Sequence, residues 1–186
     1  MTLPDPSRTE RYSPPAMLLH WLLGAAIVFL FFFGLYMVNL PFSPQKLKFI
    51  NWHKWIGMLI LTLSAVRLLV RLVRRPPALP AQVERAMPRW QHIAHHGTHH
   101  AMYLLFFVVP LLGWAYSSAA GFPIVLFGQL PLPDLVSPDA VLAQALKPWH
   151  KWAAFALMGL VALHVAAVVK HQLIDRDGLL RRMLPW

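Results

Sequence analysis

The chain has 186 residues, of which 58% are hydrophobic, and this composition predicts a membrane protein, because soluble domains of this size seldom reach that level. It contains no cysteine, which excludes disulfides, iron–sulfur clusters and covalent attachment of haem through a C-x-x-C-H motif. The net charge of +10 includes no basic run separable from a helix end, so we expect no nucleic-acid partner.

The N-terminal residues 1–15 are polar and rich in proline, so we predict a flexible tail there and a single transmembrane domain over residues 16–186. The first predicted helix covers residues 16–40 and ends at Pro41. The second covers residues 47–73 and ends before a double proline.

A basic loop over residues 74–89 leads into a cluster of histidines, where the third predicted helix begins, and this helix runs to about Ser118. The loop over residues 121–148 is apolar but broken by prolines, and its segment 138–146 predicts a helix lying on the membrane surface. The fourth predicted helix covers residues 149–172. Each apolar segment approaches the roughly 20 residues needed to cross the hydrocarbon core, so we predict an all-α membrane protein, a four-transmembrane-helix bundle in contact with lipid.

Basic residues divide unevenly between the two sides of such a bundle. Every arginine, together with Lys170, falls on the side that holds both termini and the 74–89 loop. The other side has only lysines, namely Lys46, Lys48, Lys54, Lys147 and Lys151. Cytoplasmic segments of membrane proteins carry the excess of basic residues, so we expect both termini to be cytoplasmic.

Four histidines are spaced as ligand pairs for two metal centres. His150 and His164 are 14 residues apart in the fourth helix, which places them on one face and roughly 21 Å apart along the axis. Because neighbouring spans run in opposite directions, His53 lies at the depth of His150, and His20 at the depth of His164. Imidazole is a usual axial ligand of haem iron, so the pattern predicts a bundle that encloses two haems, each held by two histidines.

Glycine and arginine positions agree with this prediction. Gly24 and Gly57 each follow a ligand histidine by one turn, where a porphyrin needs room. Gly34 leaves the first helix without a side chain on the same face at the depth of the second haem. Arg67 follows His53 by 14 residues, so we expect it at the level of the cytoplasmic haem, within reach of a propionate.

A second group of histidines opens the third helix and comprises His92, His95, His96, His99 and His100. Several are four residues apart, and such pairs can bind zinc or copper, which leaves a metal-sensing or metal-transporting bundle as one alternative. We favour an interfacial position for the group, with His99 turned inward to contact a haem propionate or a quinone.

Short motifs in a fixed order over nearly the whole chain carry a family resemblance. They are His20-Trp21, Asn51-Trp52-His53-Lys54, Val66-Arg67-Leu68, Pro110-Leu111-Leu112-Gly113, Lys147-Pro148-Trp149-His150 and Leu163-His164. In these positions the chain resembles the bacterial cytochrome b561 family, which is related to the cytochrome b subunits of nickel–iron hydrogenases and formate dehydrogenases.

The resemblance implies a four-helix protein of the bacterial inner membrane with two haem b groups, moving electrons between a periplasmic donor and the quinone pool, with ubiquinone as the expected acceptor. It carries over His20, His53, His150 and His164 as ligands of the iron. The histidines at 92, 95 and 100 are not part of the family pattern.

Two functional hypotheses follow from the resemblance. In the first, the protein is an enzyme of the superoxide:ubiquinone oxidoreductase type, and the five lysines steer superoxide to the periplasmic haem. In the second, it is a cytochrome b subunit of a larger dehydrogenase or hydrogenase complex and has no substrate chemistry of its own.

Overall fold

The computed structural model describes residues 11–74 and 76–184. Of the predicted N-terminal tail, residues 1–10 therefore lie outside the described residues. Residues 11–13 are irregular, and the first helix begins at Pro14.

Four long helices build the molecule, and each is long and apolar enough to cross a membrane. They are α1 (Pro14–Val38), α2 (Pro44–Val73), α4 (Arg89–Ala119) and α5 (Ala140–Lys170), with a short helix α3 (Ala81–Ala86) in the basic loop. Helix α1 packs against α2, α2 against α4, and α4 against α5. The predicted all-α membrane fold with four spans is confirmed.

The turn between α1 and α2 is fixed by local hydrogen bonds. The hydroxyl of Ser43 accepts from the backbone N–H of Lys46 and so caps the N-terminus of α2. Pro44 fits the first helical position, because the N–H group that proline lacks would have no partner within the helix there. The Lys46 ammonium donates to the carbonyls of Val38 and Leu40, at 3.2 and 2.6 Å, which satisfies acceptors left open at the end of α1.

The first and last described segments of the chain lie at one end of the bundle, here called the termini end. The backbone N–H of Tyr12 donates to the carbonyl of Arg182, and the guanidinium of Arg182 donates to the carbonyl of Ala78 at 2.8 Å. The indole of Trp21 donates to the carbonyl of Met183 at 2.8 Å. This end also holds a π-helical turn, His171–Asp175, and a 3-10 helix, Leu179–Met183.

A β-hairpin lies at the opposite end, here called the hairpin end. Its strands β1 (Val125–Leu126) and β2 (Leu130–Pro131) pair antiparallel. The sequence did not predict this hairpin, because strands of two residues leave no detectable alternation. The indole of Trp55 donates to the carbonyl of Val125 at 2.8 Å, and the Lys54 ammonium donates to that of Phe122 at 2.9 Å, so α2 holds the loop in place.

The prediction of a separate surface helix over residues 138–146 is wrong, as is the predicted start of the last span at residue 149. Helix α5 is continuous from Ala140 through Pro148, and a carboxylate oxygen of Asp139 caps it by accepting from the N–H groups of Val141 and Leu142. A proline costs about 3 kcal/mol inside a helix because one N–H bond is lost. Continuing the helix keeps its other backbone groups paired at the edge of an apolar medium, where a break would leave several unpaired.

A small apolar core separates the two ends of the bundle. It comprises Leu23, Ile27, Leu30, Ile60, Met102 and Leu157. Many other large apolar side chains, such as Phe29 and Phe32 on α1, are exposed. This distribution is expected where the surrounding medium is lipid, since exposure of an apolar side chain to hydrocarbon has no cost.

Candidate functional site

The four predicted ligand histidines come together in the two predicted pairs. The ring centroids of His20 on α1 and His164 on α5 are 6.1 Å apart, and this is the termini-end pair. The ring centroids of His53 on α2 and His150 on α5 are 6.3 Å apart, and this is the hairpin-end pair. The two pairs are separated by the 14-residue spacing on α5, which is roughly 21 Å of helix.

The spacing within each pair fits two imidazoles that face one metal ion. A metal–imidazole nitrogen bond is about 2.0 Å long, so two rings bound on opposite sides place their centroids roughly 6 Å apart. Two imidazoles joined directly by a hydrogen bond would place them roughly 5 Å apart. The observed 6.1 and 6.3 Å match the first arrangement, so each pair could hold one haem iron between its two imidazoles.

The imidazoles of the hairpin-end pair rest against glycines. A Cβ atom at Gly113 would lie 3.0 Å from Cε1 of His150, and one at Gly34 would lie 3.1 Å from Cε1 of His53. Nδ1 of His150 donates to the carbonyl of Val109 at 3.0 Å, which leaves its Nε2 free as a ligand. Nδ1 of His53 is buried and has no hydrogen-bond partner among the described residues. These features fit axial ligation, in which the second ring nitrogen carries a proton and seeks an acceptor.

The imidazole of His20 has a charged neighbour instead. The guanidinium of Arg67 donates to Nδ1 of His20 at 3.0 Å and to the hydroxyl of Tyr103 at 3.1 Å. Arg67 thus lies at the level of the termini-end pair, where the sequence places it. A histidine that accepts at Nδ1 carries its proton on Nε2, so ligation through Nε2 requires Arg67 to find another acceptor. A carboxylate such as a haem propionate is the acceptor that guanidinium prefers.

His99 is turned toward the termini-end pair. Its ring centroid is 5.4 Å from that of His164 and 4.5 Å from that of His95, and its Nδ1 donates to the carbonyl of His95 at 2.7 Å. His96 and His100 are exposed. Within the described residues, no three donors of this cluster converge on one point, so its geometry does not favour the metal-transport alternative.

Three features of the site were missed from the sequence. Tyr103 supports Arg67, and its position one turn after His99 is a signal that could have indicated this. Gly113 seats the ring of His150, although the sequence gives it no histidine at a matching spacing. Nδ1 of His171 donates to a carboxylate oxygen of Asp177 at 2.6 Å and lies 3.1 Å from one of Asp175, which the H-x3-D-x-D spacing could have indicated.

The glycines that were expected to make room for porphyrins differ in their surroundings. A Cβ at Gly24 would have no neighbour within 4 Å, and a Cβ at Gly57 would meet only a methyl group of Leu30, at 4.0 Å. Both positions therefore have free space beside them, whereas the space beside Gly34 is taken by the ring of His53.

Comparison with known proteins agrees with these features. A family model described as prokaryotic cytochrome b561 matches residues 11–186. The chain is 32% identical to cytochrome b561 homolog 2 of Escherichia coli K12, over 94% of this chain and 92% of that protein. It is 30% identical to a protein of Yersinia pestis named probable superoxide oxidase CybB, over 95% of this chain and 97% of that protein. It is 28% identical to cytochrome b561 homolog 1 of E. coli K12, over 95% of this chain and 98% of that protein.

Proposed function

Because the chain belongs to the prokaryotic cytochrome b561 family, and is therefore a multi-pass membrane b-type cytochrome of electron transport, we propose that it holds two b haems, one on each histidine pair. The observation that carries this proposal is the presence of two imidazole pairs at the same spacing and at different depths. Bound haem would supply one-electron redox chemistry, and iron held by two histidines would favour electron transfer over the binding of a further ligand.

We propose that electrons enter at the hairpin end and leave to a quinone, with ubiquinone as the expected acceptor. The arginine distribution supports a placement in the bacterial inner membrane with both termini in the cytoplasm and the hairpin end in the periplasm. At the termini end, the side chains of His99, Arg67 and Tyr103 supply the polar groups that a haem propionate or a quinone would contact.

Superoxide is the donor that the charges at the hairpin end favour. Lys46 and Lys54 are fixed there by hydrogen bonds to carbonyls, and Lys147 and Lys151 are exposed on α5 beside His150. Such a field draws in a small anion and raises its rate of encounter. Two superoxide anions would yield two O2 molecules and two electrons, which with two protons reduce one quinone to quinol. The name of the Yersinia relative is consistent with this activity.

The alternative is a cytochrome b subunit that receives electrons from a larger dehydrogenase or hydrogenase. The exposed aromatic side chains of Phe122 and Phe127 on the hairpin-end loop favour this alternative, because they could contact a periplasmic partner. Reduction by superoxide in the purified protein distinguishes the two functions, since the subunit needs its partner.

The ligand assignment is tested by haem content. Wild-type protein should contain close to two haems by pyridine haemochrome analysis. His53→Ala and His150→Ala should remove one and the same haem, identified by its midpoint potential, and His20→Ala and His164→Ala should remove the other. His96→Ala, in an exposed histidine, is the matched control and should keep both. A fully loaded wild-type protein with one haem would contradict the proposal, as would His20 and His53 behaving as partners.

A further inference from the structure

We propose that Gly34 and Gly113 are positioning residues for the two imidazoles of the hairpin-end pair. Each glycine, by lacking a side chain, leaves a helix carbonyl open to the Nδ1–H group of the facing histidine. That hydrogen bond then fixes the ring and leaves Nε2 directed toward iron. The inference rests on the proposed ligation by His53 and His150.

The arrangement is complete at His150. A Cβ at Gly113 would lie 3.0 Å from Cε1, 3.2 Å from Nδ1 and 3.7 Å from Nε2 of this ring. Nδ1 donates to the carbonyl of Val109, four residues before Gly113. In an α-helix each Cβ points toward the N-terminus and covers the turn before it, so glycine at 113 is what exposes the carbonyl at 109. A carbonyl oxygen has two lone pairs and can accept this bond in addition to its helical one.

The same arrangement is half formed at His53. A Cβ at Gly34 would lie 3.1 Å from Cε1 and 3.5 Å from Nδ1 of this ring. Nδ1 is buried without a hydrogen-bond partner among the described residues, which is costly for a polar group. The carbonyl that a side chain at 34 would cover is that of Leu30, one turn earlier. We assign this carbonyl as the acceptor for Nδ1 of His53, because it lies four residues before Gly34, just as the carbonyl of Val109 lies four residues before Gly113.

No equivalent exists at the other glycines of the long helices. A Cβ would meet nothing within 4 Å at Gly24, Gly97 or Gly159, and at Gly57 it would meet only a leucine methyl group at 4.0 Å. In the termini-end pair, Nδ1 of His20 is occupied by the guanidinium of Arg67 and not by a carbonyl. The arrangement of a helix glycine facing an imidazole is therefore specific to the hairpin-end pair.

The consequence is chemical as well as geometric. An Nδ1–H group bonded to a carbonyl makes the imidazole a more basic ligand through Nε2 and fixes its tautomer. Alanine at 34 or 113 would crowd the ring by a few tenths of an ångström and cover the carbonyl. The ring must then rotate or move, and the hydrogen bond is lost or lengthened.

The experiment compares Gly34→Ala and Gly113→Ala with Gly97→Ala and Gly159→Ala, two exposed helix glycines, in the full chain. Haem content, midpoint potentials and the low-temperature EPR spectrum of the oxidised protein are measured. Each of the first two variants should lose about 10- to 100-fold in affinity for the hairpin-end haem, and any haem that remains there should show shifted g values. The termini-end haem should be retained and thereby shows that the protein is folded. Both control variants should keep both haems.

The outcomes separate this inference from the ligand assignment. If Gly34→Ala and Gly113→Ala match the control variants in haem content, potential and EPR signal, the inference is overturned. If His53→Ala and His150→Ala retain the hairpin-end haem, the ligand assignment itself is overturned. In the double variant Gly113→Ala/His150→Ala, no loss beyond that of His150→Ala is expected, because glycine acts only through the ring.

Discussion

At the level of single residues, the two histidine pairs differ in what contacts their Nδ1 atoms. His150 uses a neutral backbone carbonyl, whereas His20 contacts the guanidinium of Arg67. A fixed positive charge beside a redox centre stabilises the state that carries the extra electron. The charge of Arg67 should therefore hold the termini-end centre at a higher potential than the same centre without it, which favours electron flow toward that end.

Replacing Arg67 with glutamine should lower the midpoint potential of the termini-end haem and leave that of the hairpin-end haem unchanged. At an effective dielectric constant near 20 and a separation of roughly 8 Å, the upper limit is about 2 kcal/mol, or roughly 90 mV for one electron. Redox titration followed in the visible spectrum measures both values. Arg85→Gln, an exposed arginine on α3, is the control. Equal shifts at both haems would contradict the assigned position of Arg67.

At the level of structural elements, the hairpin loop is held over one end of the bundle by side chains of the helices. Trp55 on α2 donates to the carbonyl of Val125, and its ring lies 5.4 Å from that of Phe127. Trp114 on α4 donates to the carbonyl of Pro133 at 3.1 Å. These bonds join loop carbonyls to α2 and α4, and they hold an apolar segment close to the hairpin-end pair.

The substitution Trp55→Phe should loosen this loop without removing either haem. The indole hydrogen bond is lost while most of the ring packing is kept, so the local stability should fall by about 1 kcal/mol. Hydrogen exchange measured by mass spectrometry should then become faster over residues 122–133. Trp52→Phe is the control, because Trp52 contacts Lys48 and makes no indole hydrogen bond in the described part of the chain. Unchanged exchange in Trp55→Phe would show that the loop does not depend on α2.

At the level of the whole molecule, positive charge is present at both ends but in different chemical forms. The termini end has arginines that bind backbone carbonyls and connect the N-terminal segment, the basic loop and the C-terminal segment, as Arg182 does. The hairpin end has lysines, whose compact charges suit attraction of a small anion more than bidentate binding. The molecule is thus electrostatically asymmetric along its long axis.

Reduction of the haems by pulsed superoxide should be fast at low ionic strength and slower as salt is added, because screening weakens long-range attraction. Lys147→Gln combined with Lys151→Gln should slow the reaction several-fold with both haem spectra intact. Arg85→Gln combined with Arg89→Gln, at the other end, should have no effect. If superoxide reduces the haems no faster than the uncatalysed background, the enzyme hypothesis fails and the subunit hypothesis takes its place.

The sequence alone determined the four spans and the pairing of histidines by depth. Both follow from quantities that are nearly constant in any helix, namely the residues required to cross a bilayer and the rise of about 1.5 Å per residue. The 14-residue spacing of His150 and His164 therefore predicted two levels, and alternation of direction assigned His53 and His20 to them.

Only the tertiary structure decided how each imidazole is held. Three features depend on how the helices rotate about their axes and how closely they approach. They are the contact of Arg67 with His20, the position of Gly113 against His150, and the lack of a hydrogen-bond partner for Nδ1 of His53 within the described part of the chain. The position of the hairpin depends on hydrogen bonds from distant side chains, such as those of Lys54 and Trp55. Helix α5 continues through Pro148 because a break would leave backbone groups unpaired at the edge of an apolar medium. Helical periodicity fixes the depth and face of a residue, but it does not fix the rotation of one helix against another, because packing between helices determines that rotation.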